Sequence, residues 1–114
     1  FLNVSGAFHS HFMKEPSQKF SRYLDGVNFR EPIVPVISNS NPTICSNSNE
    51  LKIRLKDQMC NGVRWRETMD LIREQGQDIH IVEIGPSNVL GGLAKRHLKN
   101  IIISQVSSAK EISY

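Results

Sequence analysis

The chain has 114 residues, of which 39% are hydrophobic and 22% charged, and its formal net charge is +3 at pH 7. This length allows one domain with a modest core. The basic residues are dispersed, so the sequence does not predict nucleic-acid binding, and apolar runs of about five residues are too short to span a membrane. Two cysteines without metal-type spacing predict free thiols in a reducing cytoplasm.

The N-terminal segment predicts the end of a strand followed by a helix. Apolar and polar residues alternate over residues 1–5, as in a strand. Pro16 suits the first turn of a helix, whose apolar stripe continues to Val27. Gly26 is the predicted end of that helix.

A short apolar segment and a polar tract follow this helix. Residues 33–37 are apolar, but Pro35 lacks an N–H donor, which predicts a sheet edge or an irregular strand. Residues 38–49, called here the Ser/Asn tract, are predicted to form a loop. Its last Asn or Ser is expected to cap a helix over residues 51–59, which ends at Asn61-Gly62.

The second half of the chain predicts strands that alternate with helices. The predicted elements are a helix over 65–75 followed by Gly76, a strand over 79–84, a turn over 85–88, a helix over 89–98 and a strand over 101–106. Strands separated by helices imply crossover connections, so the predicted class is α/β with a largely parallel sheet. The turn lacks a phosphate-binding motif, and we interpret Pro86 and Ser87 as capping residues.

Two histidines, His9 and His11, lie beside serines in the stretch SGAFHSHFMKEP. On a strand both rings would point the same way and could bind a metal, with Glu83 or His80 as a third ligand. One of them could instead act as a general base. A base needs a nucleophile on an exposed turn, and the G-x-S-x-G elbow is absent from these 114 residues. A structural role is the third alternative.

Four stretches in order resemble a known family: VSGAFHSHFMKEP, NFREPIVPVISN, LKDQMCNGVRWRETMDLIREQG and VEIGPSNVLGGLAKR. Together they are similar to the C-terminal portion of malonyl-CoA:acyl-carrier-protein transacylases and of polyketide synthase acyltransferase domains. The resemblance implies that residues 1–8 end an inserted ferredoxin-like subdomain. Residues 9–114 would then form the C-terminal portion of a larger α/β-hydrolase-like subdomain. A start without Met agrees with a piece of a longer protein.

The resemblance implies roles for five residues. His9 would be the base of a Ser–His dyad that moves a malonyl group from malonyl-CoA to the phosphopantetheine thiol of acyl carrier protein, through an acyl-serine. The main-chain carbonyl of Gln58 would orient its imidazole, and Asn39 would support the site from a loop. Phe8 would favour malonyl over methylmalonyl by its bulk, with Ala7 beside it in the substrate-binding motif. No metal or bound cofactor is implied.

Part of the family's machinery is missing from this sequence. The G-H-S-x-G serine, the malonyl-binding arginine and the Gln-rich oxyanion loop are absent, and Arg64, Arg66 and Arg96 do not match that arginine's motif. The 114 residues alone are therefore expected to be inactive, and the expected partners are acyl carrier protein and the N-terminal remainder of the domain. The alternative is a non-catalytic remnant that docks a carrier protein or a synthase.

Overall fold

The computed structural model describes residues 6–76 and 78–112. The chain divides into two compact units, Phe1–Thr68 and Met69–Tyr114, with the boundary inside a helix. The strand predicted over residues 1–5 lies outside the described residues. In the described parts of the chain, no helix combines the length and the apolar character that crossing a bilayer requires.

The first unit is built around two packed helices. Its elements are a 3₁₀ turn over His11–Met13, α1 (Lys14–Asp25), β1 (Val36–Ile37), β2 (Ile44–Cys45) and α2 (Ser48–Asp57). Leu24 is the buried residue of α1, and Ser17 donates a hydrogen bond to the carbonyl of Lys56 on α2 at 3.0 Å. Gly26 caps α1 as predicted. The pKa of Asp25 is lowered, because it accepts a hydrogen bond from Lys56.

The segment between the two helices differs from the prediction. β1 and β2 pair in the antiparallel direction, with Ile37 opposite Ile44 and Val36 opposite Cys45. The prediction that the whole Ser/Asn tract is a loop is therefore wrong at β2, and also at Ser48 and Asn49, where α2 begins. The strand predicted over residues 33–37 is reduced to two residues, because Pro35 has no N–H to extend the ladder. The prediction of a largely parallel sheet is wrong for this unit, because β1 and β2 are antiparallel.

The second unit is a parallel β–α–β arrangement that follows α3 (Trp65–Glu74). It contains β3 (His80–Ile84), α4 (Val89–His97) and β4 (Ile102–Val106), and a short 3₁₀ turn follows at Ala109–Glu111. His80 lies opposite Ile102 and Ile84 opposite Val106 in the parallel ladder. The predicted mixed α/β class and the parallel pairing are confirmed here, with each strand and helix within one residue of its predicted bounds.

One glycine lets α4 approach the sheet closely. A Cβ added at Gly91 would lie 3.0 Å from the side chain of Ile103 and 3.1 Å from the carboxylate of Glu83. Both distances are tighter than ordinary van der Waals contact. Gly91 therefore places the α4 backbone directly against the face of the sheet that carries Glu83 and Ile103.

Candidate active site

His9 lies in a tight turn rather than on a strand. Its backbone φ is +63°, in the left-handed region that non-glycine residues rarely occupy. The hydroxyl of Ser10 donates to the carbonyl of Ala7 at 2.6 Å, and the N–H of His9 donates to the carbonyl of Met59 at 2.8 Å. Such a conformation costs free energy and persists where surrounding contacts hold it. His9 and His11 do not have the strand geometry that the metal alternative assumes, because His11 begins the 3₁₀ turn.

The imidazole of His9 faces two main-chain carbonyls, called here the carbonyl pair. Its Nδ1 lies 2.9 Å from the oxygen of Gln58 and 3.1 Å from the oxygen of Asn61. A carbonyl oxygen can only accept a hydrogen bond, so Nδ1 carries the proton. In the neutral ring, Nε2 then keeps its lone pair, which is the tautomer a general base requires. The contact with Gln58 is the one that the family resemblance implies.

The carbonyl pair is fixed by the end of α2 and by the segment that follows it. The side-chain amide of Asn61 donates to the carbonyl of Asp57 at 2.9 Å. The N–H of Arg64 donates to the carbonyl of Asn39 at 2.8 Å. The segment that carries Asn61 is therefore attached both to α2 and to the Ser/Asn tract. The role of Asn61 was missed in the sequence, where Asn61-Gly62 marked only the end of a helix.

Asn39 lies in the bend after β1 and lines the same cavity as Gln58. The cavity has a volume of about 360 Å³. Its remaining lining residues are mainly apolar: Phe29, Val36, Ile37, Ser38, Leu51 and Leu55. The structure thus brings Asn39 and Gln58 together.

Phe8 and Ala7 lie in the same turn as His9 and are exposed. Phe8 is 58% exposed, and its ring packs over Gly6, where an added Cβ would lie 3.1 Å from the ring. The ring next to His9 is therefore supported from the Gly6 side and leaves more than half of its surface available for contact.

The residues considered as a third metal ligand are engaged elsewhere. The carboxylate of Glu83 accepts the N–H of Gly91 at 2.7 Å and that of Leu90 at 3.2 Å. The Nε2 of His80 lies 2.8 Å from the hydroxyl of Ser104. Across residues 6–76 and 78–112, no group of three His, Cys, Asp or Glu side chains is placed to hold a metal ion.

Sequence comparison places the chain beside enzymes of malonyl transfer, although no protein-family model matches it. It is 48% identical over 105 residues to the malonyl CoA-acyl carrier protein transacylase of Synechocystis sp., covering 88% of this chain and 36% of that protein. The Bacillus subtilis malonyl CoA-acyl carrier protein transacylase is 38% identical over 106 residues, covering 90% and 33%. The chain thus spans about a third of the length of these relatives.

Solved structures give the same result. The crystal structure of the Synechocystis malonyl-CoA:ACP transacylase matches with a TM-score of 0.86 and 42% identity, covering 96% of this chain and 37% of that one. A malonyl-transacylase in complex with its type II polyketide synthase acyl-carrier protein matches with a TM-score of 0.84 and 35% identity, covering 96% and 35%. The resemblance predicted from the sequence is confirmed: over nearly its whole length, the chain matches the C-terminal portion of malonyl CoA-acyl carrier protein transacylases.

Proposed function

We propose that this chain supplies the general base of an acyltransferase that moves a malonyl group from CoA to the phosphopantetheine thiol of acyl carrier protein. The observation that carries the proposal is the carbonyl pair, which holds the proton of His9 on Nδ1 and leaves Nε2 as the basic nitrogen. The relatives are named for this transfer, and one structural neighbour is a malonyl-transacylase bound to an acyl-carrier protein. Both findings support the proposal.

The chemistry proceeds in two half-reactions through one covalent intermediate. First, Nε2 of His9 takes the proton of a serine hydroxyl as that oxygen attacks the malonyl thioester. The C–S bond then breaks, and the imidazolium returns the proton to the departing CoA thiolate. In the second half, Nε2 takes the proton of the phosphopantetheine thiol, whose sulfur attacks the malonyl-serine ester. The released serine oxygen recovers the proton.

We propose that the nucleophilic serine lies outside these 114 residues. The family's G-H-S-x-G stretch is absent from the sequence, and the chain spans about a third of its relatives. What this chain contributes is a base with a fixed tautomer and orientation. When Nε2 accepts a proton, the two carbonyl dipoles at Nδ1 stabilise the positive ring, as the carboxylate of a catalytic triad does.

We also propose that residues 1–8 end a ferredoxin-like subdomain and that residues 9–114 belong to an α/β-hydrolase-like subdomain. The exposed face of the β3–β4 sheet supports the proposal that these strands belong to a larger domain. α4 packs on the face of Glu83 and Ile103, whereas Ile84 and Ile102 on the other face are 82% and 66% exposed. Parallel sheets in α/β proteins are covered on both faces. A further layer on this face would complete that arrangement.

A chimera tests the proposed function. The segment of the Synechocystis transacylase that matches this chain would be replaced by residues 1–114, so that the host supplies its N-terminal part. We expect the chimera to transfer radiolabelled malonyl from malonyl-CoA to holo acyl carrier protein, with the unmodified host as the positive control. A chimera that melts cooperatively but transfers nothing would contradict the proposal. If it still bound holo carrier protein, the docking-module alternative would be favoured.

Phe8 provides a prediction about substrate choice. In the chimera, Phe8→Ser should raise the preference for methylmalonyl-CoA relative to malonyl-CoA by about 10–200-fold, the range that one methyl group produces in a pocket. The reason is that the smaller side chain leaves room for the extra methyl beside His9. The measurement is kcat/KM for both thioesters. Phe12→Ser, at another exposed Phe of the same segment, is the matched control. An equal loss for both substrates would contradict the proposed role of Phe8.

A further inference from the structure

We propose that Arg54 is a positioning residue whose side chain fixes the orientation of the His9 imidazole, acting through the Ser/Asn tract. The inference rests on the proposed role of His9 as the base. It also gives the Ser/Asn tract a function that its composition does not suggest.

The guanidinium of Arg54 is buried and bound to the tract. Its side chain is only 9% exposed. Nη1 donates to the carbonyl of Thr43 at 2.8 Å and to that of Asn41 at 3.4 Å, while Nη2 donates to the hydroxyl of Thr43 at 2.9 Å. Nε donates to the carboxylate of Glu50 at 2.9 Å. A buried charge is stable only when it is paired and hydrogen-bonded in this way.

The part of the tract that Arg54 holds is itself closely hydrogen-bonded. The carbonyl of Asn41 accepts the N–H of Thr43 at 2.8 Å and the hydroxyl of Ser38 at 3.1 Å. The hydroxyl of Thr43 donates to the side-chain oxygen of Asn41 at 3.0 Å. The guanidinium therefore binds a bend with a defined shape, which it fixes against α2.

Two routes connect Arg54 to the carbonyl pair. Through the tract, the carbonyl of Asn39 accepts the N–H of Arg64, three residues after Asn61. Through α2, the carbonyl of Arg54 itself accepts the N–H of Gln58 at 3.1 Å. The side chain acts on the first route, because it holds the bend that presents Asn39. Loss of the side chain should therefore loosen the Asn61 carbonyl more than the Gln58 carbonyl.

The geometry favours an arginine over a lysine at this position. The planar fork donates in three directions at once, to Thr43, Asn41 and Glu50. A lysine ammonium is a compact point charge and does not reproduce the fork. We therefore expect Arg54→Lys to keep part of the function and Arg54→Met to lose it.

The experiment measures the tautomer of His9 directly. The 114-residue chain would be labelled with ¹⁵N-histidine, and long-range ¹H–¹⁵N spectra in alkaline buffer would show which ring nitrogen carries the proton. The His9 signals are assigned with His9→Asn. In the wild type we expect the Nδ1–H tautomer. Arg54→Met should shift the tautomer ratio about fivefold toward Nε2–H, the factor expected for loss of one ordinary hydrogen bond.

Further variants keep the test informative if Arg54→Met does not fold. Thr43→Val removes one acceptor and should shift the ratio in the same direction by less, and Arg54→Lys should lie between wild type and Arg54→Met. Arg66→Met, at an exposed arginine of α3, is the control and should leave the spectrum unchanged. Folded Thr43→Val and Arg54→Lys chains with wild-type His9 signals would overturn the inference, even if their melting temperatures fall.

The result of the tautomer experiment can be distinguished from the result of the chimera assay that tests the proposed function. The tautomer is measured in the chain itself and needs no activity. A chimera that transfers no malonyl, combined with a His9 tautomer that depends on Arg54, would contradict the enzyme and support the positioning role. An active chimera, combined with a His9 tautomer that does not change when Arg54 is replaced, would support the enzyme and contradict the positioning role.

Discussion

Replacing His9 by asparagine is expected to lower malonyl transfer by the chimera about 10²–10⁴-fold, the usual contribution of a general base. Asparagine is suited to this test because it tolerates the left-handed conformation that His9 adopts at φ +63°. Its amide can still donate toward the carbonyl of Gln58, so the turn is preserved. What is lost is Nε2, the atom that moves the proton. The measurement is kcat and KM for malonyl-CoA, and the loss should fall on kcat.

The matched control is His11→Asn, made two residues away. His11 begins the 3₁₀ turn, and its ring contacts that of Phe12 at a tilt of 36°, with centroids 4.0 Å apart. It has no role in the proposed proton transfer, so transfer should stay close to the wild-type rate. Comparable losses in the two variants would show that the turn, and not the base, limits activity. Full transfer by the His9→Asn chimera would end the proposal that His9 is the base.

The second unit could be predicted from local sequence because its signals are local. Strands β3 and β4 are short segments rich in Ile and Val, and α4 carries its apolar residues at helical spacing. Gly76 and Gly85, at φ +136° and +148°, occupy backbone conformations that other residues rarely adopt. The hydrophobic periodicity and the positions of these glycines therefore agree with the tertiary structure, and the predicted bounds of the helices and strands are correct to within one residue.

The hairpin of the first unit could not be predicted in the same way. β1 and β2 contain two residues each, which is too short for a period-2 pattern to be visible. Their pairing depends on the bend of the Ser/Asn tract, and that bend is held by Arg54 from the following helix. A composition rule identifies the tract as polar, but it contains no information about the guanidinium that orders it.

Helix capping shows the same limitation. The predicted cap of α2 is the last Asn or Ser of the tract, Asn49 or Ser48, whereas the structure uses Asn47, whose side chain accepts the N–H of Glu50. A second acceptor comes from much further upstream, since Glu31 accepts both the N–H and the hydroxyl of Ser48. Local capping rules consider only neighbouring residues, so a carboxylate 17 residues away is invisible to them.

The candidate site was identified by its family motif, but its conformation was not. The motif designates His9 and the carbonyl of Gln58, and both are adjacent in the structure. The left-handed φ of His9 and the second carbonyl, from Asn61, are consequences of how the turn packs on the end of α2. The alternation of apolar and polar residues predicts a strand only over residues 1–5, and no sequence pattern at His9 indicates the turn.

The other large effect is expected at Glu83, which is 7% exposed and caps α4 in place of Pro86 and Ser87, the predicted capping residues. Its carboxylate accepts the N–H groups of Gly91 and Leu90 and complements the positive end of the helix dipole. Glu83→Gln keeps the shape but removes the charge and turns an NH₂ donor toward an N–H group. We expect the free energy of unfolding to fall by about 1–3 kcal/mol, as for a buried polar group that loses its partner.

Urea denaturation of the 114-residue chain measures this effect, and two further variants identify its origin. Glu74→Gln, at an exposed residue of α3, controls for the loss of one negative charge and should change the unfolding free energy little. Ser87→Ala removes a hydroxyl that contacts Glu83 at 3.4 Å, too long for a strong bond, and should also have a small effect. If Ser87→Ala destabilised the chain as much as Glu83→Gln, the cap of α4 would depend on the Ser87 hydroxyl as well as on the carboxylate. If only Glu83→Gln did so, the helix that follows the G-P-S-N turn would depend on the strand before it.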